Sequence, residues 1–355
     1  MLGTPFYDPN KSYEENFNEG PFSVFADDKV VNQEGEPKFE IFGKKVFLPF
    51  GIPAGPLLNG KFIKAALDKG FDIPMHKTVR TRKRKSNPWP NVLAVKVEGD
   101  LTFEKAKSRL VANRDFQEPL SITNSFGNPS ADPDVWQKDL ADCVAYAKNG
   151  QVVTASLEGT QWPATTFEDS VKDWALGARL LKETGITAIE ANLSCPNEGI
   201  TDLLCFDTVR VRIVVEAIKN EIGNMPLIMK TAYFKEQNDL EHLISSVGKV
   251  IDGIASINTI PVQIVDEQGN QALPGEGRLR SGVCGAAIKW AGLDMVKRLK
   301  SLRESMDLRY TIIGVGGVMH ADDYFEYRHA GADVVMSATG AMWNPNLAKE
   351  IKSAV

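Results

Sequence analysis

The stretch Asn192-Leu193-Ser194-Cys195-Pro196-Asn197 carries the residue types best suited to chemistry in this chain. An amide side chain offers both a donor and an acceptor, so two asparagines can grip the edge of a planar polar ring. A thiol between them serves as nucleophile, metal ligand or proton carrier once it is a thiolate. Pro196 lacks an N–H and fixes its own φ, so the chain leaves the preceding strand as a loop. A lone cysteine at a strand end is more often a small buried hydrophobe. The site reading therefore requires other polar strand ends to converge on the same place.

Other apolar runs do end in polar residues. They are Ile52-Pro53-Ala54-Gly55, His76-Lys77-Thr78, Met229-Lys230-Thr231, Ile257-Asn258-Thr259, Gly314-Val315-Gly316-Gly317 and Ala338-Thr339-Gly340. A further cluster is Asn124-Ser125-Phe126-Gly127-Asn128. Burying such groups costs free energy unless each finds a partner, and a polar ligand supplies partners. Gly316, Gly317 and Thr339-Gly340 suit a phosphate, because glycines let backbone N–H groups approach an anion. Tight turns use the same residues. Lys77 and Lys230 would bury their stems and aim an ammonium at the mouth of the site. A snorkelling lysine at a barrel rim is the plainer alternative for each. The basic block Lys77 to Lys85 reads mostly as solvated loop, with Lys77 as its functional member. Asn87-Pro88-Trp89-Pro90 cannot be helical. His76 should point to the opposite face from Lys77. His242, His320 and His329 fall on helices or helix starts without metal-ligand spacing, and no metal is assigned.

Positioning these groups requires a repeating scaffold. Eight short apolar runs qualify as strands: Val46–Ala54, Ile73–Thr78, Val152–Leu157, Ala188–Leu193, Leu227–Thr231, Gly253–Asn258, Tyr310–Val315 and Asp333–Ser337. Amphipathic helical stretches alternate with them: Asp134–Lys148, Phe167–Lys182, Phe206–Ile222, Leu240–Ile251, Ala286–Arg303 and Asp322–Ala330. The alternation predicts an α/β fold, a (β/α)8 TIM barrel whose C-terminal strand ends build the site. Residues 1–45, polar and acidic, form an N-terminal arm, and 46–355 the barrel domain. Residues 79–130, with a ninth apolar run Leu120–Ile122, are predicted to insert over the barrel mouth.

Composition narrows the function classes. The 355 residues carry a net charge of −5 with 43% apolar and 25% charged residues. That balance argues against a nucleic-acid surface. No apolar run reaches the roughly 20 residues of a membrane span. Met1 to Asn10 lacks the features of a signal peptide. Cys143, Cys195, Cys205 and Cys284 form no CxxC pair, which fits a reduced cytoplasmic protein. No dinucleotide glycine fingerprint or iron–sulfur motif is present, so NAD use would need a partner subunit.

From about Gly43 onward the ordered set resembles the dihydroorotate dehydrogenases. The matching residues are Lys77-Thr78, Asn87-Pro88-Trp89-Pro90, Asn124-Ser125-Phe126-Gly127, the asparagine–cysteine motif, Lys230, Asn258-Thr259, Gly314-Val315-Gly316-Gly317 and Thr339. The resemblance implies an FMN-containing barrel that oxidises dihydroorotate to orotate in pyrimidine synthesis. It implies that Cys195 is the base removing the C5 proton while C6 gives hydride to flavin N5. A cysteine there is similar to the soluble class 1 enzymes. Asn124, Asn192, Asn197 and Asn258 match the asparagines that hold the pyrimidine and its carboxylate, with Thr259 beside them and Ser125, Phe126 and Gly127 in the same wall. Lys77 matches a lysine near flavin and substrate, and Lys230 one at the flavin pyrimidine edge. Ala54, Gly55, Thr78, Cys284, Gly285, Gly316, Gly317, Ala338 and Thr339 fall at cofactor-binding positions.

The chain departs from the pattern in places. Pro53-Ala54-Gly55 stands where class 1 members have Ala-Ser-Gly. Phe126 and Asn128 replace aliphatic residues, Cys284 and Ala338 stand where smaller or hydroxyl residues are usual, and the acidic arm is foreign to class 1. These departures leave the electron acceptor open among fumarate, NAD through a partner, quinone or another compound. Alternatives are a relative acting on another dihydropyrimidine, such as dihydrouracil, and an FMN-binding subunit without turnover. A homodimer or an electron-transfer partner subunit is implied by the resemblance alone.

Overall fold

The computed structural model describes residues 2–160, 162–194 and 203–355. A short antiparallel pair, β1 (Phe39–Ile41) and β2 (Lys44–Val46), precedes the first barrel strands, β3 (Phe50–Ile52) and β4 (Ile73–Val79). Three strands follow outside the main barrel: β5 (Ala94–Val95), β6 (Arg109–Asn113) and β7 (Ser121–Asn124). Four more barrel strands are β8 (Thr154–Leu157), β9 (Ala188–Asn192), β10 (Leu227–Thr231) and β11 (Gly253–Ser256). After β12 (Ile260–Val265) and β13 (Arg280–Gly285), the barrel finishes with β14 (Thr311–Val315) and β15 (Val334–Met336). The eight strands β3, β4, β8, β9, β10, β11, β14 and β15 close in parallel, in chain order. The predicted (β/α)8 barrel is the observed fold.

The helices are α1 (Tyr13–Glu19), α2 (Gly60–Asp68), α3 (Pro133–Tyr146), α4 (Phe167–Lys182), α5 (Thr208–Ile222), α6 (Gln237–Val247), α7 (Lys289–Ser305), α8 (Ala321–Ala330), α9 (Thr339–Trp343) and α10 (Leu347–Ala354). Local chemistry sets their ends. Thr166 and Asp169 form a reciprocal capping box at the start of α4, and Asp207 caps α5. Gly223 ends α5 at φ +62° and Gly331 ends α8 at φ +115°, where a side chain would be strained. Helices α1, α2, α9 and α10 are additional to the stretches expected from the sequence. The first and third of these are short, and α2 buries Phe62, Ile63, Ala65, Ala66 and Leu67 while Lys61, Lys64 and Asp68 form its outer stripe.

Two sequence expectations change. The run Val46–Ala54 is not one strand: Pro49 cannot donate to a ladder, and Phe50 N–H turns back to the Leu48 carbonyl at 2.7 Å. Val46 instead joins Ile41 in the hairpin that plugs the barrel floor, against Ile73, Val152, Ile228, Ala255, Ile313 and Val334. The elaboration over the mouth is not made from residues 79–130 alone. Strands β12 and β13, contributed by the connection after β11, close with β5, β6 and β7 into a second, five-stranded barrel. Cys284 pairs in register with Ile122, and Gly282 with Asn124, so distant segments are locked together.

The arm lies on the barrel through its aromatic residues. Phe6 packs against Phe25 and Phe62, with ring centroids 4.4 and 6.0 Å away. Phe25 stacks on Phe71 at 6.2 Å. Burying each such ring contributes about 2–3 kcal/mol, enough to hold an otherwise polar segment in place. Asn16 ties the turn before α1 by donating to the Asp8 and Ser12 carbonyls, both at 2.9 Å.

Candidate active site

The C-terminal ends of the barrel strands open into one cavity, with about 870 Å³ of atom-free space including its solvent-open mouth. Ala54 and Gly55 follow β3, Lys77 and Thr78 are the last residues of β4 before Val79, and Asn192 ends β9. Lys230 comes from β10, Asn258 and Thr259 follow β11, and Ala338 and Thr339 follow β15. The second barrel adds Asn124, Phe126 and Cys284. All these sequence-selected residues line the cavity. Cys195 and Asn197 lie outside the described residues.

Five selected residues do not line it. The Ser125 hydroxyl accepts from Arg278 Nε and Nη2 at 3.2 and 3.0 Å, away from the cavity. Gly127, at φ +76°, makes room for Asn87: a Cβ there would meet the Asn87 amide at 2.6 Å. Gly285 lies so close to the Leu120 carbonyl that a Cβ would come within 2.4 Å. Gly316 and Gly317 form the turn directly after Val315, which does line the cavity. At Gly317, φ is +69° and a Cβ would sit 2.6 Å from the Lys289 backbone nitrogen.

The pleat explains why Glu190, Asn192 and Lys230 converge. Side chains alternate along a strand, so Glu190 and Asn192 share the inner face of β9. Lys230 pairs in register with Asn192. Burial pulls the Lys230 ammonium below its usual pKa, and the Glu190 carboxylate opposes that pull. Burial likewise pushes Glu190 up, opposed by Lys230 and by a hydrogen bond from Ser156. Glu190 Oε2, Thr231 Oγ1 and Thr259 Oγ1 are buried with no hydrogen-bond partner among the described residues. Lys77 is 3% exposed, and its Nζ lies 5.4 Å from the centre of the Phe126 ring. Asn258 Nδ2 donates to the Ser194 carbonyl and hydroxyl at 3.1 and 3.2 Å and approaches Asn192 Oδ1 at 3.5 Å. His76 turns away from the cavity, as alternation predicts, and its Nδ1 faces the Lys77 carbonyl at 2.7 Å.

The sequence model of the dihydroorotate dehydrogenase family matches residues 111–355. A dihydroorotate dehydrogenase of Dictyostelium discoideum is 33% identical over 98% of this chain and 96% of its own length. The catalytic subunit of dihydroorotate dehydrogenase B (NAD(+)) from Petrotoga mobilis is 30% identical over 53% of this chain and 60% of its own. A dihydroorotate dehydrogenase (quinone) from Thermobifida fusca is 25% identical, covering 88% and 76%. The chain belongs to the dihydroorotate dehydrogenase family. It is therefore an oxidoreductase of a flavin-dependent family. No helix among the described residues is long and apolar enough to cross a membrane.

The cavity also contains groups that the sequence did not single out. Tyr7, from the arm, lines it and packs edge-on against Phe126, with ring centroids 5.5 Å apart and planes at 87°. Burial raises its phenol far above the usual value. Nothing in the sequence of a polar arm marks that tyrosine. Glu190 could have been found, since it stands two residues before Asn192 on a strand. Glu158 directly follows β8 as Asn192 ends β9, so the same logic applies. Arg80 corrects the reading of the basic block. Arg82, Lys83 and Lys85 are exposed, but the Arg80 side chain is fully buried and pairs with Glu158 at 3.0 Å. Arg278 sits in a glycine-rich loop without any periodic signal and is almost fully buried.

Proposed function

We propose that this protein oxidises (S)-dihydroorotate to orotate, with FMN held in the barrel mouth, as a step of pyrimidine synthesis. The observation that carries this reading is the convergence of Asn124, Asn192, Asn258, Thr259 and Lys77 on one cavity. A ring with alternating carbonyl and N–H edges plus a carboxylate needs such a set of amides, a hydroxyl and a cation. Rings lacking those groups leave buried amides unpaired, which is how such a pocket rejects analogues.

The cavity also suits a flavin. Lys230, buried and without a hydrogen bond from its ammonium among the described residues, offers a cation to an electron-rich ring edge. The orphaned hydroxyl of Thr259, which lines the cavity, calls for a polar partner. Thr339 and the turns at Gly285, Gly316 and Gly317 are assigned to the ribityl chain and phosphate. When bound, the flavin supplies a hydride acceptor. The residues of the chain then do the rest. Asn124, Asn192, Asn197 and Asn258 hold the substrate ring and its carboxylate, Lys77 adds positive charge beside it, and Cys195 removes the C5 proton as thiolate. A free thiol is only a few per cent ionised at neutral pH. Catalysis through Cys195 therefore rises with pH until the thiol is ionised. The chain is assigned to the cytoplasm, where free thiols persist, with 1–45 as an arm and 46–355 as the catalytic domain.

The test is orotate formation from dihydroorotate with fumarate, NAD+ and a soluble quinone as separate acceptors, for the wild type and Cys195→Ala. The proposal expects orotate with at least one acceptor, and a Cys195→Ala protein that keeps its flavin and loses most turnover. Unchanged turnover in that variant removes Cys195 from the mechanism.

A further inference from the structure

Arg80 and Glu158 directly follow the neighbouring barrel strands β4 and β8, and Asn192 ends the next strand, β9. Glu158 N–H bonds to the Val79 carbonyl at 3.1 Å, which sets its side chain beside Arg80. The Arg80 and Glu158 side chains are 0% and 5% exposed, and Arg80 Nη2 meets Glu158 Oε1 at 3.0 Å. The remaining guanidinium nitrogens are used as well. Nε donates to the Asn128 carbonyl at 3.2 Å, and Nη1 donates to Thr160 Oγ1. The other carboxylate oxygen of Glu158 receives Asn128 Nδ2 and lies 3.5 Å from Asn192 Nδ2. Asn128 and Asn192 both line the cavity.

An asparagine can sit in either of two flipped orientations that differ only in which end donates. A carboxylate is acceptor-only. Beside Glu158, each amide must therefore turn its NH2 toward the carboxylate and its oxygen away. The contact to Asn192 is long, but the charge still disfavours the flipped amide, in which two oxygens would face each other in a poorly solvated site. With Asn192 so oriented, its Oδ1 faces Asn258 Nδ2 at 3.5 Å, and the Asn258 NH2 also serves Ser194. Oδ1 of Asn258 is then left as the acceptor at the cavity wall. Arg80 additionally fixes the backbone of Asn128, which stands at φ +46°.

We propose that Glu158, paired with Arg80, is a positioning residue that sets the amide orientation of Asn128 and Asn192, and through Asn192 that of Asn258. The pair thereby fixes the donor–acceptor polarity that the cavity presents to a pyrimidine ring. Neither side chain of the pair lines the cavity. This inference rests on the proposed dihydroorotate activity.

The test compares wild type, Glu158→Gln and the double variant Arg80→Met with Glu158→Gln. Gln keeps the shape of the side chain but can face an asparagine with either end. The double variant removes both charges, so neither is left buried alone, a change that folded proteins often tolerate. Orotate affinity is read by calorimetry and by the ligand-induced rise in melting temperature, KM and kcat by turnover, and flavin content by absorbance. The expected result is a tenfold or greater loss of orotate affinity and rise in KM in both variants, with flavin content kept and kcat within about threefold. Orotate affinity and KM within twofold of wild type in either folded, flavin-replete variant overturn the inference. If the wild type neither binds orotate nor oxidises dihydroorotate, the activity assignment fails instead.

Discussion

Arg278 is predicted to be the rivet of the substrate wall, and Arg278→Met is the variant that tests it. The guanidinium donates to the carbonyls of Pro88, Pro274, Pro90 and Ser125 at 2.7, 2.6, 3.0 and 3.1 Å, and to the Ser125 hydroxyl. No carboxylate pairs with it among the described residues, and burial pulls its pKa down to about 10. It thus joins the loop before β13 to Asn87-Pro88-Trp89-Pro90 and to the residue between Asn124 and Phe126. Methionine keeps the apolar stem and removes every donor. Pro88 and Pro274 are exposed, and their carbonyls regain water. The Ser125 carbonyl keeps Asn91 Nδ2 at 3.1 Å, but the buried Ser125 hydroxyl and the half-buried Pro90 carbonyl, two acceptors, are left short of partners. Hydrogen bonds to a charged group are worth about 1.5–3 kcal/mol each, so losing two, less the relief of a buried charge, gives a net loss of about 3 kcal/mol. For a chain of this length unfolding as one unit, an unfolding entropy of about 0.75 kcal/mol per kelvin turns that into a drop of about 4 °C. Scanning calorimetry measures it. KM for dihydroorotate should rise as well, because Asn124 and Phe126 lose their anchor, while flavin content holds. Arg278→Lys should fall between, since one ammonium cannot span the fork. A melting temperature within about 1 °C of wild type together with unchanged KM refutes the reasoning.

Three further outcomes follow from the same geometry. Gly317→Ala forces a Cβ to 2.6 Å from the Lys289 backbone at a positive φ, so the purified protein should lose several kcal/mol of stability and most of its flavin; a full flavin complement would show the turn to be yielding. Glu190 has its pKa raised by burial, so its stability contribution is complete below the ordinary carboxylate pKa and is lost as pH rises through the raised value. Glu190→Gln should therefore become progressively more stable than wild type as pH rises above about 4.5, and a pH-independent difference in denaturation midpoints contradicts that. Burial pushes Cys143 and Cys205 up to about 12 and Cys284 to about 11. Iodoacetamide at neutral pH should then label Cys195 alone, with orotate protecting it; comparable labelling of Cys284, found by mass spectrometry, runs against the assignment.

The barrel was legible because each of its strands is a short apolar run that must be buried on both faces, and because most of the surrounding helices keep a clean apolar stripe. The polar strand ends were legible for the complementary reason: Lys77, Asn192, Lys230 and Asn258 are costly where a barrel would otherwise place apolar residues. The second barrel was not, because β5 and β7 are only two and four residues long and the strands that close it, β12 against β6 and β13 against β7, lie far away in sequence. Pairing at that separation leaves no local period. Arg80 was hidden by its neighbours: a run of five basic residues looks solvated, and only the three-dimensional course of β8 brings Glu158 beside it. Tyr7 and Arg278 reach the site from a polar arm and a glycine-rich loop, where composition points to solvent.

The most direct test of the central claim is an anaerobic titration of the purified protein with dihydroorotate, following the flavin absorbance. The account predicts that the oxidised flavin band bleaches with one equivalent of dihydroorotate and yields one equivalent of orotate, while dihydrouracil leaves it unchanged because it lacks the carboxylate. A yellow protein that dihydroorotate fails to bleach, or one that dihydrouracil bleaches equally well, contradicts it.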